Sequence, residues 1–430
     1  MAGVTSKRCR VSFVVASRND DFGGGALERM SLFTNNLIEL CDRHQLQSEI
    51  IVVEWNPPRG PRLHDVLRPE MKSAYVTIRF IEVPPHLHES LPNSDKLPLF
   101  QMIAKNVGIR RSRGEFVIAT NHDILFSDAL IETLAKTKLD RDCIYRINRT
   151  DVAAEVPKIL DMDQQLAWCK ENILRVHRRR GTLNGPPLFE LDWLLDPGLS
   201  LLARNARSVA ARGLRSLARR IRRWIGSSLG LLRAFFQHAR HIRPRLVLRA
   251  IVGWLGVGRH MIAKSLFILA KVADPKPRLH TNACGDFTML SRHHWLALRG
   301  YPEIPLYSLH IDSFFLCVAS AAGLREHTFH PPRRIYHLEH STSWAAVNAE
   351  ERVRWFSRMP WIEYRLVEDL WTKMRRERRP FLYNDEDWGF GAHELSEVLI
   401  RDGSPELIER SPSAARQARG ERPLIRSVDG

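Results

Sequence analysis

The stretch FVIATNHDILF, Phe116–Phe126, holds the residues of this chain that are best suited to binding a metal ion. An apolar run there ends on Asn121, His122 and Asp123. At the end of an extended strand, side chains two residues apart point the same way, so oxygens of Asn121 and Asp123 can reach one divalent cation. Asn and Asp also end strands at ordinary turns, and this stretch by itself leaves both interpretations open.

Two more polar clusters follow apolar runs nearer the N-terminus. Ser17–Asp21 comes directly after Val11–Ala16, and Glu54–Asn56 comes directly after Ile50–Val53. In a parallel α/β sheet, ligands bind beyond the carboxyl ends of the strands. The three clusters therefore predict a single site along one edge of a sheet.

Apolar strand-like runs alternate with helical patterns through the first part of the chain, which predicts an α/β domain with a mostly parallel sheet. We predict strands over 11–16, 50–53, 76–83, 116–120 and 143–147, and helices over 26–41, 97–111 and 128–138. The alternation then stops and resumes near residue 279.

The segment 198–272 carries almost all of the net charge of the chain. The chain has 430 residues and a net charge of +17, and this segment contains sixteen Lys and Arg and no Asp or Glu. Within it, Arg212–Ile225 places Leu, Ile and Trp on one helical face and Arg on the other, which is typical of a helix lying in a membrane interface. The lack of acidic residues favours an anionic lipid surface.

Two alternatives for this segment are a helical subdomain with solvated arginines and a nucleic-acid-binding surface. Long aliphatic side chains between the arginines favour lipid over nucleic acid. The six cysteines form no C-x-x-C pair, which argues against a zinc site and indicates a reducing compartment. The chain lacks a signal-peptide core and an uncharged apolar run of about 18 residues. We therefore expect a cytoplasmic protein that associates peripherally with the cytoplasmic face of the membrane.

In their order along the chain, these clusters resemble the family 2-type glycosyltransferases, which have the GT-A nucleotide-sugar fold, a Rossmann-like α/β fold. The resemblance covers about residues 11–150 and 279–345 and leaves out the basic segment. In its first half, Val11–Asn19 resembles the first strand with its nucleotide-binding turn, and Ile51–Asn56 resembles the second strand with its acidic end. Ala104–Gly108 resembles the basic-Asn-x-Gly helix, and Asn121–Asp123 stands at the position of the metal-binding D-x-D motif.

The downstream half of the resemblance has three pieces. Cys284–Glu303 resembles the acceptor-side segment, His310–Leu316 takes the place of the Glu-Asp helix start, and Ile335–His340 resembles the late strand that returns a histidine to the metal. Two departures stand out: Asn121 replaces the first metal carboxylate, and only the second acid of the Glu-Asp pair, Asp312, is present.

For the metal, the resemblance implies Mg²⁺ or Mn²⁺ held by Asp123, with help from Asn121 and a histidine, either His337 or His340. Such a cation stabilises the charge that builds up on a nucleotide diphosphate leaving group. Position in the strand favours His337. Either histidine can equally be an ordinary core or surface residue.

For the donor, the resemblance implies that Glu54 hydrogen-bonds the nucleoside, while Ser17, Arg18 and Asn19 hold the base and phosphate. Lys105 adds positive charge near the diphosphate. The alternatives are a solvated Glu54 at a strand end and an exposed Lys105 on a helix.

For the acceptor, the resemblance implies that Asp312 is the general base, giving inversion at the anomeric carbon, and that Asp286 orients the donor or acceptor sugar. Asp312 can instead be a helix N-cap. Trp295 and Tyr301 are better explained by packing than by sugar stacking, and we expect the acidic loop 384–389 to dock Trp388 on the catalytic domain.

We therefore predict an inverting, metal-dependent glycosyltransferase that moves a sugar from a nucleotide-diphosphate sugar to a lipid-linked or polysaccharide acceptor at a membrane surface. The alternatives are a non-catalytic binder of sugar nucleotides or glycans, which Asn121 makes credible, and a nucleic-acid-binding protein. The predicted divisions are a nucleotide-sugar-binding half, a basic amphipathic helical insertion, an acceptor half, a C-terminal helical extension and a flexible tail. Their bounds are 1–155, 156–278, 279–345, 346–400 and 401–430.

Overall fold

The computed structural model describes residues 8–67, 73–157, 159–179, 181–185, 279–340, 360–401 and 404–407. The chain divides into two compact units, one formed by 1–188 and 279–430 and the other by 189–278. The basic segment 198–272 belongs to the second unit and lies outside the described residues, as does most of the predicted tail. Every element given below belongs to the first unit.

The first unit is built on a nine-stranded sheet with the order β11-β6-β10-β4-β1-β2-β3-β13-β14. The bounds of these strands are β1 Val11–Ser17, β2 Ser48–Trp55, β3 Val76–Val83, β4 Phe116–Thr120, β6 Cys143–Ile147, β10 Phe287–Ser291, β11 Arg325–Phe329, β13 Glu397–Arg401 and β14 Ser404–Leu407. The predicted strands over 76–83, 116–120 and 143–147 have these bounds, and the α/β prediction is confirmed.

The sheet is mixed rather than mostly parallel. Its central strands β4, β1, β2 and β3 pair in parallel. By contrast, β10 runs antiparallel to both β4 and β6, and β13 runs antiparallel to β3. An apolar run in a sequence shows that a strand is buried, but its direction depends on how distant segments return to the sheet. The expectation of a mostly parallel sheet was therefore wrong for β10 and β13, whereas β11, also from the second half of the chain, pairs in parallel with β6.

A second, five-stranded sheet has the order β5-β12-β7-β8-β9. Its strands are β5 Ile124–Phe126, β7 Arg149–Val152, β8 Ile173–Arg178, β9 Gly181–Asn184 and β12 Ile335–Leu338. Strand β12 lies between β5 and β7, antiparallel to the first and parallel to the second. This sheet therefore continues from the end of β4 and brings the late strand β12 beside it.

Helices cover both faces of the central sheet. They are α1 Ala26–Arg43, α2 Leu63–Val66, α3 Pro85–Glu89, α4 Gln101–Arg111, α5 Asp128–Lys136, α6 Met162–Glu171, α7 Arg292–Ala297, α8 Ile311–Ala321 and α9 Tyr364–Glu377. Because side chains alternate along a strand, Phe13 and Val15 of β1 belong to the apolar cluster that includes α1, while Val14 and Ala16 belong to the one that includes α4. None of the helices within the described ranges is long and apolar enough to cross a bilayer.

Helix α4 packs very closely on the sheet at Gly108. A Cβ atom there would lie 2.5 Å from a Val14 methyl carbon, so the glycine is required by packing. Two residues earlier, Asn106 donates to the backbone oxygen of Tyr301 and to Glu303 Oε1, at 2.8 and 3.0 Å. The basic-Asn-x-Gly stretch therefore holds α4 to the sheet and to the turn at 300–303.

The loop 384–389 docks on this same turn. Trp388 is buried, with the guanidinium carbon of Arg110 5.2 Å from its ring centre. The backbone N–H of Gly389 donates to Glu303 Oε1 at 2.7 Å, and burial raises the pKa of Glu303 to about 7. The expected docking of Trp388 is present in the structure.

Two predicted boundaries differ from the observed elements. Helix α6 and strands β8 and β9, between residues 162 and 184, lie within the segment predicted as insertion, yet β8 pairs with β7 of the second sheet. Strands β13 and β14 lie across the predicted extension and tail, and they extend the central sheet beyond β3. Both differences arise because strand partners come from distant parts of the chain.

A buried ion cluster fastens β13 to the sheet. Arg79 on β3 is fully buried, and its guanidinium nitrogens lie 2.7 Å from Glu49 on β2 and 2.6 Å from Glu397 on β13. Because a buried charge without a partner is costly, we expect Arg79→Met to lower the free energy of unfolding by about 3–5 kcal/mol in urea titrations. The control is Lys136→Ala, which breaks an exposed pair with Glu132 and should cost less than about 0.5 kcal/mol. Equal effects of the two substitutions would contradict this account.

Candidate metal and nucleotide site

The pairing of β12 with β5 brings Asp123, His337 and His340 together. His337 lies opposite Ile124 in the register, and the backbone N–H of Leu338 donates to the backbone oxygen of Asp123 at 2.9 Å. As a result, Asp123 Oδ2 lies 3.6 Å from His337 Nε2 and 3.3 Å from His340 Nε2. One ligand atom from each of the three residues lies within 4.8 Å of the others.

The donor set fits a divalent cation. Asp123 is 7% exposed, and its Oδ1 has no hydrogen-bond donor within the part of the chain that the structure describes. Such an orphaned buried oxygen, beside two imidazoles, is the arrangement expected of a metal-binding group. The structure thus brings both candidate histidines to Asp123.

Charge within this cluster is strongly coupled. Burial opposes ionisation of Asp123, but His337 and His340 outweigh it and hold the pKa of Asp123 well below its ordinary value. Burial likewise opposes the charged form of His337, yet Asp123 and Asp151 raise the pKa of His337 to about 9. The cluster therefore stabilises opposite charges in a buried environment.

Asn121 faces a different set of partners. Its side-chain oxygen accepts hydrogen bonds from Lys105 Nζ at 2.7 Å and Gln101 Nε2 at 2.9 Å, and its nitrogen donates to Asp286 Oδ1 at 2.6 Å. Arg149 Nη1 donates to the other oxygen of Asp286 at 2.7 Å. Asn121 therefore links α4 to Asp286, and its oxygen is already engaged by two donors.

Lys105 is fully buried rather than exposed on its helix. Besides Asn121, its ammonium donates to the backbone oxygen of Gly285 at 2.8 Å. Burial lowers the pKa of Lys105 to about 8, although the nearby charges of Asp286, Asp312 and Asp123 oppose this shift. Lys105 is thus a buried cation whose charge interacts with all three carboxylates.

Asp312 lies in the first turn of α8 and not at its cap. The helix begins at Ile311 with His310 as its N-cap residue, and Asp312 Oδ1 accepts from the backbone N–H of Ser313 at 2.7 Å. A Cβ atom on Gly285 would lie 3.1 Å from Asp312 Oδ2. A larger residue at 285 would therefore crowd the carboxylate beside the backbone carbonyl that Lys105 holds.

The residues predicted to bind the nucleotide lie at the ends of β1 and β2. Ser17 and Glu54 are directly opposite each other in the register and both are buried. Glu54 accepts from the backbone N–H of Leu63, with both oxygens within 3.1 Å. Arg18 donates to the backbone oxygen of Asn56 at 2.7 Å, and Asn19 donates to that of Pro61 at 3.0 Å. These bonds hold the loop 56–63 against the turn after β1.

A group of charged residues on β7 and β8 was not predicted from the sequence. Asp151 is 1% exposed, and its carboxylate lies 2.8 Å from Arg149, 2.5 Å from Arg175 and 2.9 Å from His177. Arg149 and Asp151, like Arg175 and His177, are two residues apart, which puts each pair on one face of its strand. That alternation was the available signal, but it does not indicate which face or which partner.

No family model matches the chain. No curated protein matches it. One matching solved structure is the crystal structure of GalNAc-T7 with UDP, GalNAc and Mn²⁺, which is 10% identical with a TM-score of 0.38 over 88% of this chain and 53% of that chain. The chain thus spans about half the length of that protein. A likeness of this degree defines neither the fold nor the activity of the present chain.

The environment of Glu54 gives a pH prediction. Burial raises its pKa from 4.5 to about 7, so the folded state favours the protonated carboxyl. The protonated Glu54 carboxyl therefore stabilises the folded state fully below pH 4.5, and this stabilisation is lost as the pH rises through about 7. Because glutamine does not ionise, we expect the free energy of unfolding of Glu54→Gln to fall less between pH 5 and pH 8 than that of the unaltered protein. Denaturant titrations at several pH values would measure this, and identical pH profiles would exclude it.

Proposed function

We propose that this chain is an inverting, metal-dependent glycosyltransferase that takes its sugar from a nucleotide-diphosphate donor. The observation that carries the proposal is the cluster of Asp123, at the carboxyl end of a central parallel strand, with His337 and His340 from a late strand. Ligands bind at this edge in open α/β sheets. Asp312 and Asp286 approach the same edge through Gly285 and Asn121.

Asp123, His337 and His340 would hold the cation. A bound divalent cation supplies positive charge that offsets the charge developing on a diphosphate leaving group. Two imidazoles with one carboxylate favour a transition ion such as Mn²⁺ over Mg²⁺, which prefers oxygen ligands. Lys105 provides a second, fixed positive charge at the same edge, because its ammonium is buried and held by Asn121 and Gly285.

Asp312 is the better of two candidate bases. Both oxygens of Asp286 are engaged, by Asn121 and Arg149, which suits a residue that orients a sugar. Asp312 has one oxygen held by Ser313, while Oδ2 lies beside Gly285. A half-buried carboxylate held in this way is placed to accept the proton of an acceptor hydroxyl that attacks the anomeric carbon.

For the donor nucleotide, we assign binding to Ser17, Arg18 and Asn19 together with the loop 56–63. Glu54 contributes by fixing this loop through Leu63. Arg18 also pairs with Asp20 at 2.7 Å, and its half-buried guanidinium at the end of β1 suits contact with a phosphate or base. The acceptor that we propose is a polysaccharide or a lipid-linked glycan.

A non-catalytic sugar-nucleotide binder is the second candidate, and Asn121 favours it. An amide stands where the family has a carboxylate, and its oxygen is engaged by Lys105 and Gln101. The two candidates differ in turnover and not in donor binding.

The test begins with a thermal-shift screen of nucleotide sugars with and without Mn²⁺, followed by release of nucleoside diphosphate with water as the acceptor. We expect Asp312→Asn to lower turnover by about 10²–10⁴-fold while keeping the donor-induced shift, since a general base contributes about this much. Asp123→Asn should abolish the part of the shift that depends on Mn²⁺. The control, Asp163→Asn on the exposed surface of α6, should behave like the unaltered protein. Donor binding with no turnover would instead identify a binder.

The basic segment 198–272 underlies the proposed association with the cytoplasmic face of the membrane. Replacing Arg215, Arg219, Arg222 and Arg223 by serine should weaken the free energy of binding to vesicles that contain anionic lipid by about 1 kcal/mol for each arginine. Sedimentation with the vesicles measures this binding. Neutral vesicles serve as the control. Unchanged sedimentation, or salt-sensitive retention on DNA without vesicle binding, would reject the membrane assignment.

A further inference from the structure

A row of three charged residues crosses the second sheet at the metal site. Asp151 of β7 is opposite His337 of β12, and Arg175 of β8 is opposite Asp151. Residues that face each other across neighbouring strands have their side chains on the same side of the sheet. The register alone therefore places a carboxylate between the candidate metal ligand His337 and an arginine.

The two ring nitrogens of His337 face two different carboxylates. Its Nε2 lies 3.6 Å from Asp123 Oδ2, and its Nδ1 lies 3.4 Å from Asp151 Oδ1. Nδ1 has no hydrogen-bond partner among the residues that the structure describes. Asp151 does not belong to the cluster of candidate ligands, since it approaches the opposite edge of the ring.

Asp151 is held rigidly in this position. It is 1% exposed, and Arg149, Arg175 and His177 surround its carboxylate. Arg149 also reaches Asp286, and Arg175 also pairs with Glu339, the neighbour of His340 in the chain. The carboxylate is therefore fixed by residues that themselves contact both sides of the candidate site.

We propose that Asp151 is a positioning residue that sets the ring orientation of His337 for binding a divalent cation. This inference rests on the metal site of the proposed function. With Nε2 as the metal ligand, a neutral imidazole would carry its proton on Nδ1, the nitrogen that lies 3.4 Å from Asp151 Oδ1. Partners of this kind fix the tautomer and orientation of ligating histidines, and their loss weakens metal binding about 10–100-fold.

The test is a double-mutant cycle on Mn²⁺ affinity, measured by titration calorimetry and by the electron paramagnetic resonance of free Mn²⁺. Asp151→Asn should weaken binding about 10–100-fold in the unaltered protein and by less than about 2-fold in the His337→Ala background. The matched control is Asp142→Asn, which removes the carboxylate 2.9 Å from a histidine outside the candidate site, His294, and should leave the affinity unchanged. A purely structural role for Asp151 would lower affinity equally in both backgrounds and would overturn the inference.

A crystal structure of the metal-free Asp151→Asn protein provides a readout that does not depend on metal binding. We expect the His337 ring to turn away from the orientation that directs Nε2 to Asp123, while the unaltered protein keeps it. The same ring orientation in both proteins would overturn the inference even if the proposed function stands. If the unaltered protein fails to bind Mn²⁺, the proposed function fails, and the ring orientation alone then decides the role of Asp151.

Discussion

The pairing of β12 between β5 and β7 is the constraint on which the candidate site depends. It sets His337 between two buried carboxylates, Asp123 on one side and Asp151 on the other. Without this register, Asp123 would be an isolated buried carboxylate at the end of a strand, which is a costly arrangement. The pairing of these strands brings His337 beside Asp123, and their interaction stabilises the buried charge of Asp123.

The rest of the site is organised by the same need to satisfy buried charge. Lys105 is buried at a cost that is reflected in its lowered pKa, and it is retained beside three carboxylates. Arg149 joins Asp286 to Asp151, so these two carboxylates share one guanidinium. Asp151 is held by Arg149 on β7 and Arg175 on β8, so the position of this carboxylate is fixed by the second sheet.

Several positions that resemble functional motifs act in the structure as supports. Gly108 permits α4 to approach Val14, and Asn106 holds the turn that carries Tyr301 and Glu303. Glu54 holds the first turn of α2. Such residues support the candidate site through packing and hydrogen bonds.

The sequence by itself determined the α/β class, the bounds of several strands and the polar ends of β1, β2 and β4, because apolar runs and turn residues are local signals. It also identified Asp123, His337 and His340 as candidate ligands. Only the tertiary structure showed that Asn121 turns its oxygen to Lys105, that β10 and β13 run antiparallel and that Asp151 faces His337. Those features depend on which distant strands pair and in what register. A one-residue shift of β7 against β12, for example, would move Asp151 to the face opposite His337.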